Sequence, residues 1–499
     1  MTARERAWAW AGGLALVLAC GDEVSSVGGS SSDGSGTSSE SGASAASSSS
    51  EGSSSDGGAD SSTGITPPGG ECGNGVLELG EDCDDGRNGE QDDGCTDACA
   101  LPQCGDGWLQ PTLGEHCDAG RSGDAWCTAG CVATLSRTWL RELGSEEGDD
   151  DYANGVAVDD AGNVYAVGSL AAVGRGVNGR DIWVRKYDPR GNELWTQRYD
   201  SDVSSSFDEG QDIAVCPDGT VVVAGSVPVL GEGHDGIVLS YDADGFPGWT
   251  AAYQGEGGFD DSASAIGCTA QNLLVGGYGF DADGASVAWY NALALADGAT
   301  LWGGTRTSAS DNDYSDLADI AAGPEGQWAV SGTTDDDNWV AVLEPDGSMR
   351  WELVFDAISD APDYATGAAF TTEGDLVVAG STTHAYLRRF DPDGAEVWSA
   401  VYAGVEGSGH DVAVTSDGLL ALVGSLSSLG SSGLTPAIFG VDPSDGTVVW
   451  VQLALDGAVN GSARRAAAGP GGVLALVGDE SPHAFQGDDL WVARYAPSR

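Results

Sequence analysis

The sequence predicts an all-β chain, a seven-bladed β-propeller preceded by a small disulfide-rich repeat region and a disordered linker, and three observations carry that prediction. First, an apolar segment ending in small residues recurs seven times, as "VYAVGS" from Val164, "VVVAGS" from Val221, "LLVGG" from Leu273, "WAVSGT" from Trp328, "LVVAGS" from Leu376, "LALVGS" from Leu420 and "LALVGD" from Leu474. A fixed period of this kind is the signature of a repeat architecture. Second, Trp195, Trp249, Trp302, Trp351, Trp398 and Trp450 head the fourth segment of six units at spacings of 54, 53, 49, 47 and 52 residues, a period that suits blades of four strands. Third, "PDG", "ADG" and "SDG" tripeptides lie between segments, where Gly at positive φ lets a tight turn join antiparallel strands. The recurring segments are continuous apolar runs rather than alternating ones, so both of their faces are covered, and neighbouring blades would cover them.

The repeat has one defect. The seventh unit ends at "DDLWVARYAPSR" with three segments, whereas "RTWLREL" (Arg137–Leu143), with Trp139 placed 56 residues before Trp195, stands ahead of the first complete unit as an orphan fourth segment. Residues 136–143 are therefore expected to complete the last blade, closing residues 136–499 into a ring and removing the exposed sheet edges.

With "DDAGNVYAVGS" and "RDIWVRKYDPRGNELW" as its strongest stretch, the chain over roughly residues 137–499 resembles the seven-bladed beta-propeller (SBBP-type) repeat of secreted bacterial proteins. Blade three departs from that pattern, with "ASVAWYNALALADGATLW" in place of the usual Asp and Pro-Asp-Gly signals. The resemblance implies the fold and an extracytoplasmic location, and little about chemistry.

Residues 1–19 place Arg4 and Arg6 ahead of a short apolar stretch, Ala7 to Ala19, too short to span a membrane and typical of an export signal. The run Val17-Leu18-Ala19-Cys20 is similar to the lipobox of bacterial lipoproteins. That resemblance implies an acylated Cys20 and a lipid anchor in the outer membrane or at the cell surface, the alternative being an ordinary cleaved signal. Residues 20–70 are almost wholly Ser, Gly, Ala, Asp and Glu, a composition that cannot bury a core and reads as a flexible stalk.

Residues 71–132 hold eight of the 11 cysteines in two copies of one pattern: Cys72, Cys83, Cys95 and Cys99, then Cys104, Cys117, Cys127 and Cys131. An exported segment poor in apolar residues needs cross-links, so each set is expected to pair internally, with its connectivity open. Four-cysteine zinc sites are the rival reading, disfavoured by an oxidising compartment. The copies resemble the cysteine-rich repeat of secreted myxobacterial proteins, whose role is not enzymatic. Within the first copy Asp82, Asp84, Asp85, Asn88, Asp92 and Asp93 gather oxygen ligands around Gly, which suits calcium without matching the EF-hand spacing; the alternative is solvated charge. Cys216 and Cys268 occupy equivalent positions in adjacent blades, and either staple blades two and three through a disulfide or stay as buried thiols.

Asp plus Glu number 78 against 20 Lys plus Arg, giving a net charge of -58, which excludes nucleic acid as a partner and favours collection of divalent cations such as calcium. Alternating strand directions put the long second-to-third and fourth-to-first loops on one face. That face also gathers Asp150, Asp208, Asp260, Asp261, Asp313 and Asp363 before the first strands, and Asp181, Asp235, Asp337 and Asp489 before the third strands. These aspartates are a candidate binding face; the competing reading makes them turn caps that accept backbone N–H bonds. The five histidines (His116, His234, His384, His410 and His483) are scattered, with no metal-ligand spacing or nucleophile elbow. The expectation is a monomeric, non-enzymatic binding or adhesion module with a protein or glycan partner. Two alternatives stand: a purely structural spacer, or a quinone-cofactor propeller enzyme, whose Gly-and-Trp docking repeats "DPRGNELW" and "DPSDGTVVW" resemble.

Overall fold

The computed structural model describes residues 74, 81, 83, 84, 95, 96, 99–101, 135–143, 151–171, 179–201, 203, 207–231, 233–255, 259–307, 314–356, 363–382, 384–402, 409–427, 434–455, 460–481 and 489–497. The chain divides into two units, Met1–Thr66 and Pro67–Arg499, and all described residues belong to the second. Cys20 and residues 1–70 lie outside the described residues, as do Cys72, Cys104, Cys117, Cys127, Cys131 and Asp313.

Twenty-eight strands form seven antiparallel four-stranded sheets, and the described residues contain no helix. The innermost strands of the seven blades are β2 (Tyr152–Val158), β6 (Glu209–Val215), β10 (Ser262–Cys268), β14 (Ser315–Ala322), β18 (Tyr364–Phe370), β22 (Gly409–Val414) and β26 (Asn460–Gly469). Six blades take four consecutive strands each. The seventh has the order β1-β28-β27-β26, in which β1 (Leu135–Leu143) pairs along its length with β28 (Asp489–Pro497), β28 in turn lying beside β27 (Val473–Ser481). The two ends of the propeller thus share one sheet, and the seventh blade lacks no strand.

The second strands are buried on both faces because adjacent blades sandwich them. Val164, Val221, Leu273, Trp328, Leu420 and Leu474 are each wholly buried. Separate apolar clusters fill the spaces between sheets; one joins Trp139 and Tyr187 to Ala475, Val477 and Val492, welding blade one to the closing blade. The atypical third blade is built like the others, from Ser262–Cys268, Asn272–Phe280, Ser286–Ala294 and Thr300–Thr307.

Six of the seven outer-strand Trp residues dock on the next blade. The turn glycines Gly191, Gly245, Gly298, Gly347, Gly394 and Gly446 all have positive φ, and a Cβ on any of them would lie 2.5 to 2.8 Å from the ring of Trp139, Trp195, Trp249, Trp302, Trp351 or Trp398, respectively. Indole N–H groups complete the contact by donating to turn carbonyls, as from Trp195 to Ala243 (3.1 Å), Trp249 to Leu295 (2.8 Å) and Trp398 to Pro443 (2.8 Å). Trp450 departs from the pattern and folds over Gly440 of its own blade. The reason is topological: in the seventh blade the third and fourth strands belong to opposite ends of the propeller, so no turn joins them there. Cys216 and Cys268 are disulfide-bonded (S–S 2.03 Å) between blades two and three. In the cysteine-rich segment Cys83 bonds Cys95, and Cys99 is also disulfide-bonded.

Candidate functional site

Every innermost strand carries a β-bulge near its start, at Asn154, Gln211, Ser264, Ala318, Thr366, His410 and Arg464. A bulge re-aims the residues beside it. The position after the bulge is, in blade order, Gly155, Asp212, Ala265, Asp319, Gly367, Asp411 and Arg465, so acids in the even blades alternate with Gly or Ala and a single cation completes the ring.

Each of the three aspartates clamps its own strand to the next. Oδ2 of Asp212 accepts the N–H of Ile266 at 2.9 Å, Oδ2 of Asp319 that of Ala368 at 2.7 Å, and Oδ2 of Asp411 that of Ala466 at 2.9 Å. The glycines between them make room, since a Cβ on Gly367 would lie 2.5 Å from Oδ1 of Asp411. Arg465 crosses the axis, donating from Nη1 to the carbonyl of Thr366 (2.7 Å) and from Nη2 to that of Ala318 (2.9 Å). Both acceptors are bulged residues, whose carbonyls are released from the regular ladder.

Burial raises the pKa of all three acids above the usual carboxylate range, Asp212 to about 7, while Arg465 opposes the rise. Burial likewise drives His410 down to about 4, with Arg464 adding to the effect. Beyond this polar girdle a cavity of about 370 Å3 runs toward the tight-turn face, walled by residues such as Val156, Ile213, Ile266, Ile320, Phe370 and Val412. The arrangement supplies buried protonatable groups at the floor of an axial cavity whose surface is largely polar.

The opposite face carries the aspartates singled out in the sequence. Asp208, Asp261 and Asp363 sit just before first strands and are buried, as is Asp151; Asp150 lies outside the described residues. They act as ties: Asp151 accepts the N–H of Ala171 (2.9 Å), Asp208 that of Ser201 (2.9 Å) and Asp261 that of Gly255 (2.7 Å). Their own N–H groups reach across to the preceding blade, from Asp208 to Arg180 (2.9 Å), from Asp261 to His234 (2.6 Å) and from Asp363 to Asp336 (3.1 Å). Exposed Asp260 instead accepts the backbone N–H of His234 at 2.9 Å. Asp181, Asp235, Asp337 and Asp489 lie at or near the start of third strands, at the same end of the ring. Asp181, Asp208 and Asp200 come together, with one carboxylate oxygen from each within 4.8 Å of the others. Of the acidic cluster in the first cysteine-rich copy only Asp84 is described, and its Oδ2 accepts the N–H of Asn74 at 3.2 Å; Asp82, Asp85, Asn88, Asp92 and Asp93 lie outside the described residues.

The axial residues Asp212, Asp319, Asp411 and Arg465, and Asp200 on the loop face, were not among the residues singled out from the sequence. Aligning the inner segments rather than the apolar ones would have exposed the axial set, as "QDIAV", "ADIAA", "HDVAV" and "RRAAA" share one register.

A model of the beta-propeller repeat named SBBP matches residues 138–169, which run from the closing strand into blade one. No curated relative matches the sequence. Among solved structures the chain is similar to virginiamycin B lyase from Staphylococcus aureus (11% identity, 72% of this chain and 99% of that one, TM-score 0.41). It is also similar to quinohemoprotein alcohol dehydrogenase from Comamonas testosteroni (12% identity, 73% and 77%, TM-score 0.46) and to the C-terminal WD40 domain of Sif2 (9% identity, 72% and 99%, TM-score 0.42).

Proposed function

We propose that the chain is a non-enzymatic binding scaffold, a lipoprotein held through Cys20 at the outer membrane or cell surface, with its acidic loop face turned to a protein or glycan partner. The observation that carries this reading is the anchoring of Asp151, Asp208 and Asp261 by backbone N–H groups at the end of the ring where the long loops rise. A closed ring with these aspartates tied to its backbone offers a rigid scaffold on which binding residues can be carried. The Gly-and-Trp repeats, which the quinone-cofactor alternative relied on, are used to dock one blade on the next, so they call for no cofactor.

The test is cell adhesion. Cells displaying the full chain are compared with cells displaying Cys20→Ala or the triple variant Asp235→Asn, Asp260→Asn and Asp337→Asn, with folding checked by circular dichroism. Loss of surface retention in the first and loss of adhesion in the second, with the fold intact, are the expected results. Equal adhesion with and without the chain overturns the reading and favours a spacer.

A further inference from the structure

The loop face repeats a pairing. At three blade junctions the residue before the first strand donates its N–H to the carbonyl that precedes the third-strand acid of the blade before, Asp208 to Arg180, Asp261 to His234 and Asp363 to Asp336. The acids so brought together are Asp181 with Asp208, Asp235 with Asp261 and Asp337 with Asp363; among the other described junctions the equivalent positions by register are Asp489 and Asp151, Val287 and Ser315, and Thr435 and Gly461. At these junctions acids occur together or not at all. Two adjacent carboxylates repel, so two independent caps would not favour this arrangement, whereas a shared cation would.

At the junction of blades one and two the pair gains a third acid. Asp181 comes from the third strand (Arg180–Tyr187), Asp200 follows the fourth (Glu193–Tyr199), and Asp208 precedes β6. Each offers an oxygen within 4.8 Å of the other two. Calcium binds oxygen at about 2.3–2.6 Å, so ligands on opposite sides of one ion stand about 5 Å apart. The carboxylates already have that spacing.

A second observation points to a ligand. Asp208 is only 2% exposed, and although its Oδ2 is used by Ser201, its Oδ1 is buried with no hydrogen-bond partner. Such an oxygen carries a desolvation cost unless something completes it. Arg198 does not: its Nη2 stands 3.5 Å from Oδ2 of Asp181 and donates to the carbonyl of Ala171.

We propose that Asp181, Asp200 and Asp208 form a calcium site that ties blade one to blade two. Ligands that are all oxygen favour a hard cation over zinc, and the number of carboxylates leaves room for water to fill a shell of six to eight. The site stands whatever the loop face recognises.

Calcium chloride titrated into the chelator-treated full chain in about 0.15 M salt, followed by calorimetry and by the melting temperature, tests the proposal. The wild type is expected to show a saturable site and a calcium-dependent rise in melting temperature. Asp208→Asn should abolish both, Asp200→Asn should weaken binding at least tenfold, and Asp283→Asn, on an exposed turn, should change neither. If Asp208→Asn does not fold, the half-buried Asp200 decides. Absence of a saturable site in the wild type overturns the proposal. So does unchanged affinity in Asp200→Asn, which would assign any calcium bound to other acids.

Discussion

Arg465 in blade seven donates a hydrogen bond at 2.9 Å to the carbonyl of Ala318 in blade four, 147 residues away in sequence. With its second bond to Thr366, this side chain links three blades across the axis and faces three carboxylates that burial has made costly to ionise. Removing one member of a buried charge network leaves the others uncompensated, at a cost of about 3–5 kcal/mol. Arg465→Met should therefore lose stability of that order in urea unfolding at pH 8. It should lose less at pH 5, where the acids are protonated, and Arg465→Lys should fall between the two because an ammonium cannot span both carbonyls. Equal losses at both pH values would count against the axial charge as the cause.

The same girdle sets a pH dependence with a definite sign. The pKa of Asp212 rises from 3.8 to about 7 on folding, chiefly through burial. Below about pH 4 both states hold the proton. Between about 4 and 7 the native state keeps it and the unfolded state releases it, so stability from this group is full at low pH and falls as pH rises through the window. Asp212→Asn should flatten that fall by up to about 1.4 kcal/mol per pH unit. Denaturant midpoints measured from pH 4.5 to 8 check it, and parallel profiles for variant and wild type would contradict it.

Two glycines separate packing from backbone strain. Gly245 (φ +86°) would place a Cβ 2.7 Å from the ring of Trp195, whereas Gly231 (φ +91°) has nothing within 4 Å of that position. Both substitutions to Ala carry the cost of positive φ, about 1 kcal/mol, but only Gly245→Ala also pushes the indole off the blade boundary. Overpacking adds about 1–3 kcal/mol. The difference between the two unfolding free energies should fall in that range; a difference near zero would mean that the Trp contact does not hold the blades together.

Much of this architecture was legible because blade packing imposes the same demand seven times. The apolar second strands, the Trp spacing and the orphan segment at Trp139 each reflect a surface that must be covered. The axis was not legible, because there the demand differs by blade: acids clamp only at Asp212, Asp319 and Asp411, and Arg465 stands alone. The loop-face acids were legible as a group but not one by one. In "DDD" before Tyr152 and "DD" before Ser262, sequence does not tell a buried tie from its neighbour; the fold buries Asp151 and Asp261 and leaves Asp260 exposed. Asp200 was invisible for a related reason, since its importance lies in the approach of blade two.

β1 closes the ring by pairing with β28 over Leu135–Leu143. The most direct test is a thermal melt of the full chain lacking residues 135–143, beside the intact chain. Loss of the strand opens the blade, exposes the edge of β28 and uncovers the cluster around Tyr187, so the melting temperature should fall sharply or the transition should lose its cooperativity. An unchanged melt would contradict the closure and with it the account of the fold as a sealed seven-bladed ring.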